Sequence, residues 1–106
     1  MDEQARVAAF LATHDLDAAP AYRLLDLVSE VGELAKDANE SSGYGTEPEA
    51  VSVSEDEIGD ALFALLALAE SVDVDAGDAL DGALAKYERR IESSGGPGSS
   101  AGAEDG

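Results

Sequence analysis

Cysteine is absent from this chain of 106 residues. No disulfide framework is available, and nothing points to an oxidising compartment. Basic residues are scarce: six Lys and Arg stand against 24 Asp and Glu, for a net charge of −18. Nucleic-acid backbone and anionic membrane both require positive charge on their partner, so neither is an expected ligand. No apolar run is long enough to span a bilayer. The first residues, Met1-Asp2-Glu3-Gln4, are acidic where a secretory signal would be basic, which makes a cytoplasmic location the expectation. A single histidine, His14, sits in a polar break and reads as a surface or cap residue rather than a ligand.

Hydrophobic residues make up 44% of the chain, enough for one domain with a modest core. The acids are scattered over every segment. Calcium buffering or metal storage would be one use for them. A surface kept soluble in high salt is the plainer account, because salt screens the self-repulsion. The composition resembles that of cytosolic proteins of salt-loving microbes.

Apolar spacing of three and four residues predicts helices throughout. Asp2 to about Thr13 is a short one, with Val7, Phe10 and Leu11 as its stripe. Pro20 suits a first helical turn, and Tyr22 to Ala38 keep helical spacing for roughly 20 residues, about 30 Å of helix. Gly32 costs about 1 kcal/mol mid-helix relative to Ala, which predicts close approach there by another helix or a ligand. Asn39 to about Val53 is a polar connection, long enough to be mobile or functional. Ser54-Glu55-Asp56-Glu57 opens a third helix with Ile58, Leu62, Leu65, Leu66 and Ala69 on its core face. Asp75 and Asp78 form the cap and acidic first turn of a fourth, with Leu80, Leu84, Tyr87 and Ile91 inward. The domain is expected over 1–92, followed by a flexible Gly/Ser-rich acidic tail over 93–106.

Two acidic pairs carry the chemistry. Glu30 and Glu33 are three apart, so they share a helix face about 5–6 Å apart at Cβ. Apolar Val28, Val31, Leu34 and Ala35 flank them, which puts the pair near a core boundary; on spacing alone a functional pair and a solvated helix face weigh about evenly. Glu57 and Asp60 repeat the spacing. Ser54 to Glu57 also fits a capping box, which would turn the Glu57 side chain back to the helix start; Asp60 lies beyond that explanation. Four carboxylates on two helices offer oxygen ligands suited to Mg²⁺ or Mn²⁺. Mg²⁺ sites commonly bridge to substrate phosphates, and cations for phosphates exist in Lys86, Arg89 and Arg90, with Lys36 a turn beyond Glu33. Helix C-terminal pairing is the ordinary account of the first three.

The series Glu30-Val-Gly-Glu33, a loop, Glu57-Ile-Gly-Asp60, then Lys86-Tyr-Glu-Arg89-Arg90 resembles the MazG-like nucleotide pyrophosphohydrolases over about residues 20–91. The resemblance implies an all-α fold: a four-helix bundle, one short N-terminal helix and three longer ones, assembling as a homodimer or homotetramer. It implies cleavage of a nucleoside triphosphate to monophosphate and pyrophosphate with Mg²⁺, or Mn²⁺. Glu30, Glu33, Glu57 and Asp60 would be its metal ligands and catalytic residues. Lys86 and Arg90, with Arg89, would hold the phosphates; Lys36 stays a candidate for them by its position alone. Leu84 and Ala85 stand where many members carry an Asn before the Lys, and tryptophan, which some members place against the base, is absent. A catalytically weak nucleotide- or partner-binding helical module is the alternative.

Overall fold

The computed structural model describes residues 2–96, and among them every regular element is helical. The order is α1 (Asp2–Thr13), α2 (Pro20–Ser41), a single 3-10 turn (Pro48–Ala50), α3 (Glu55–Ser71) and α4 (Ala76–Ser94). The chain forms two compact units, one up to Val74 and one from Asp75 onward.

In the first unit α2 and α3 are the principal packed pair, and α1 lies against α3. Pro20 occupies the first turn of α2, where a missing N–H costs no helical hydrogen bond. Ser41 near its end meets Ser52, Glu30 meets Asp60, and Arg23 shares a pocket with Ala67. The two helices therefore run antiparallel. The connection between them is braced: the Ser52 N–H donates to Ser41 Oγ at 2.8 Å, and Ser41 Oγ donates to the Ser52 carbonyl at 3.1 Å. Gly43 adopts φ +59 in this turn, a left-handed conformation that favours glycine. The long polar stretch is thus folded back on the α2 terminus, and the helix itself reaches Ser41, past the expected break at Asn39.

The ring of Phe10 on α1 meets Phe63 of α3 edge-on, with centroids 5.8 Å apart. Gln4 is buried, yet its Nε2 donates to Glu70 Oε2 and to the Val74 carbonyl, both at 2.8 Å. His14 stacks at 4.5 Å on Phe10 and is exposed, in keeping with a surface role.

Among the described residues the buried apolar set is small, consisting of Ala64, Leu66, Ala67 and Ala69, all on α3. The larger core expected from periodicity is not closed within one chain. Ile58 is 54% exposed and Leu62 45%; Leu25 and Val28 of α2 are exposed above 60%. A helix apolar over half its girth has more surface than these few neighbours can cover. Within the single chain a Cβ at Gly32 would meet nothing within 4 Å.

Among the described residues the second unit is one amphipathic helix. Asp75 caps it, its Oδ1 accepting from the Asp78 N–H at 2.9 Å, and that bond holds the Asp75 carboxyl below its usual range. Gly95 ends the helix with φ +80, donating to the Ile91 carbonyl at 2.8 Å. Ser93 and Ser94, expected in the tail, belong to α4. Residues 97–106 of that stretch lie outside the described residues.

Candidate functional site

The acids of α2 follow the helix period beyond the pair singled out by sequence. Asp26, Glu30, Glu33 and Asp37 stand at i, i+4, i+7 and i+11, which aligns them on one face. Glu30 and Asp37 are half-buried and Glu33 is exposed. Opposite them, the first two turns of α3 present Glu57 and Asp60.

Ser54 decides how Glu57 is used. Its Oγ accepts from the Glu57 N–H at 3.1 Å, so the backbone of Glu57 serves the cap. The return bond of a capping box, from the Ser54 N–H to the Glu57 carboxylate, is not made among the described residues. The side chain turns instead to the α2 face. Oxygens of Glu30, Glu57 and Asp60, one from each, lie within 4.8 Å of one another. Three of the four expected carboxylates therefore converge. Glu33 lies outside that group but still acts on it electrostatically.

The charge balance is visible at Glu57. Its carboxyl is pushed above the usual value, first by partial burial and then by the negative charges of Asp37, Glu33, Asp60 and Glu30. Asp37 heads the charged causes although the E-x-x-E motif omits it. Its signal was available in the sequence: it stands four residues after Glu33, one further turn of the same face. A site with five carboxylates and no His or Cys fits a hard divalent cation with oxygen ligands. Such an ion would reverse the strain on Glu57 by favouring its ionised form.

A pocket of about 210 Å³ opens beside the cluster, with Glu30 and Asp60 in its wall. Arg23 also lines it; the guanidinium donates to the Leu16 carbonyl at 2.5 Å, tying the α1–α2 connection to α2. Lys36 is exposed on α2. Lys86, Arg89 and Arg90 lie on α4, in the second unit, with the Lys86 ammonium 5.1 Å from the Tyr87 ring centre. No described helix is long and apolar enough to cross a membrane.

The family model described as the MazG nucleotide pyrophosphohydrolase domain matches residues 20–94. The uncharacterized protein YpjD of Bacillus subtilis strain 168 is 36% identical over 75 residues, 67% of this chain and 66% of that relative. The match thus spans just under two thirds of that relative's length. A crystal structure of YPJD from Bacillus subtilis, described as a candidate pyrophosphatase, superposes with a TM-score of 0.68 and 34% identity, covering 84% of this chain and 92% of that one.

Proposed function

The chain belongs to the MazG nucleotide pyrophosphohydrolase domain family, and we propose that it hydrolyses nucleoside triphosphates, ribo or deoxyribo, to the monophosphate and pyrophosphate with Mg²⁺, or Mn²⁺, as cofactor. The observation that carries this reading is the convergence of Glu30, Glu57 and Asp60 from two helices onto one point. Such convergence is costly for like charges unless a cation fills it.

In this reading Glu30, Glu57 and Asp60 hold the cation, and Glu33 and Asp37 add negative potential around it. A bound divalent ion supplies neutralisation of the phosphate charge and makes water more acidic. The remaining work falls to the chain. One water adds its oxygen to a phosphorus of the α–β anhydride, the bridging oxygen leaves with its electron pair, and the water gives up a proton. Glu33, outside the tight group, keeps lone pairs free to accept that proton. We infer from the resemblance that Lys86, Arg90 and Arg89 serve the phosphates, with Lys36, one turn beyond Glu33, a further candidate; Lys and Arg suit that task through charge-assisted hydrogen bonds.

The uncovered Leu25, Val28, Ile58 and Leu62 support assembly as a homodimer or homotetramer, since apolar area of this extent gains by leaving water. Nucleotide-pool cleaning in the cytoplasm, in a salt-rich interior, fits the substrate and the acidic composition. Incubation with a panel of triphosphates, Mg²⁺ and high salt should release pyrophosphate, and Glu33→Gln and Asp60→Asn should lower the rate at least a hundredfold, as loss of a catalytic group commonly does. Full rate in both variants, or no pyrophosphate from the wild type, overturns the assignment.

A further inference from the structure

Asp26 precedes Glu30 by four residues, about 6 Å along the helix axis. It lines the pocket of about 210 Å³ with Arg23, Phe63, Ala64 and Ala67, and that pocket shares Glu30 and Asp60 with the acidic cluster. Asp26 is exposed, and its carboxylate takes no hydrogen bond or ion pair among the described residues. It is also not one of the three acids whose oxygens come within 4.8 Å of one another. The metal reading therefore leaves it unused.

Size, charge and connectivity restrict what can enter. The volume is below the roughly 300–1,000 Å³ of pockets that hold a whole drug-sized ligand, so it suits a single ring. Three carboxylates in the wall repel phosphate, and the one cation, Arg23, is engaged with the Leu16 carbonyl. Ala64 and Ala67 are buried and small, leaving a shallow apolar floor, and Phe63 adds an apolar wall. An ionised carboxylate only accepts hydrogen bonds, so Asp26 calls for a donor such as a hydroxyl. When the phosphates occupy the cluster, the group covalently attached to them is the sugar, a single ring bearing hydroxyls and an apolar carbon face.

We propose that this pocket seats the sugar of the nucleotide and that Asp26 accepts a hydrogen bond from one of its hydroxyls. The proposal rests on the nucleotide-hydrolase reading of the neighbouring cluster. It makes Asp26 a specificity residue one helical turn from the metal ligands, with no part in bond cleavage.

The test uses the full chain with Mg²⁺ in high salt and three substrates sharing one base: the ribonucleoside, 2′-deoxy and 2′,3′-dideoxy triphosphates. For the wild type, kcat/KM should fall roughly ten- to a hundredfold at the step that removes the contacted hydroxyl, the size of one hydrogen bond to a charged group. Asp26→Ala should abolish that discrimination, bringing the ratio between the substrates to about one, and Asp26→Asn should retain part of it. Calorimetric binding of the three corresponding monophosphates should show the same pattern without turnover. If Asp26→Ala lowers all three substrates by one factor, or if the wild type treats them alike, the proposal is overturned. Should the wild type release no pyrophosphate from any triphosphate, the hydrolase reading fails instead, and the monophosphate series still decides whether Asp26 touches a sugar.

Discussion

Mg²⁺ should raise the melting temperature of this protein far beyond any effect of ionic strength. The perturbation separates two effects that an acidic protein usually confounds. Any salt screens the repulsion among 24 acidic residues, whereas only a coordinated ion relieves a cluster. At 1 M KCl the Debye length is about 3 Å, shorter than the 4.8 Å that spans Glu30, Glu57 and Asp60. General screening is then nearly exhausted, and what Mg²⁺ adds is site-specific. Saturation at 100 times the dissociation constant stabilises the native state by about 2.7 kcal/mol. For a domain of this size each kcal/mol is worth roughly 4–8 °C, so the expected shift is about 10–20 °C. Circular dichroism melts in 1 M KCl, with and without Mg²⁺, measure it directly. Glu30→Gln and Asp60→Asn should melt at or above the wild-type temperature without Mg²⁺, because each removes a like charge, and both should lose most of the shift. A wild-type shift below 2 °C, or an equal shift in both variants, refutes a cation site at this cluster.

Two other outcomes bear on the same architecture. The Glu57 carboxyl is raised in the folded chain, so without metal the native state binds a proton more tightly than the unfolded state there; its contribution to stability grows as pH falls through the folded value, is fully present below the unfolded one, and is lost as pH rises through the folded value. Mg²⁺ competes with that proton. Titrations of Mg²⁺ at about pH 5, in buffers of different ionisation enthalpy, should therefore show proton release that vanishes at pH 8 and in Glu57→Gln; equal release at both pH values would contradict the raised value. Gly32→Ala should stabilise the chain by up to about 1 kcal/mol, since Ala is the better helix former and a Cβ there meets nothing. A lower melting temperature together with smaller particles in light scattering would show instead that a second copy packs against Gly32.

Local chemistry made most of the helix boundaries legible. Pro20 can begin a helix but not continue one, and Ser54 and Asp75 offer side-chain oxygens to the N–H groups three residues on. The boundary expected before residue 93 fell short because Ser93 and Ser94 were grouped with the glycines after them. In α4 both hydroxyls donate to the Arg90 carbonyl and continue the helical turn.

The acidic motifs divide in the same way. That Glu30 shares a face with Glu33, and Glu57 with Asp60, follows from 3.6 residues per turn and needs no fold. Which of the four meet is a matter of the rotation and register of two antiparallel helices, and no local spacing contains that information. The packing brought Glu30, Glu57 and Asp60 together, set Glu33 outside them, and drew Asp37 into their field and Asp26 into the adjoining pocket. It also freed the Glu57 side chain from the cap that the sequence offered it. Periodicity marked Ile58, Leu62, Leu25 and Val28 as residues suited to burial, because an apolar stripe is a property of one helix. Whether a stripe is covered depends on how many neighbours a single chain can supply, and here one chain leaves these four exposed.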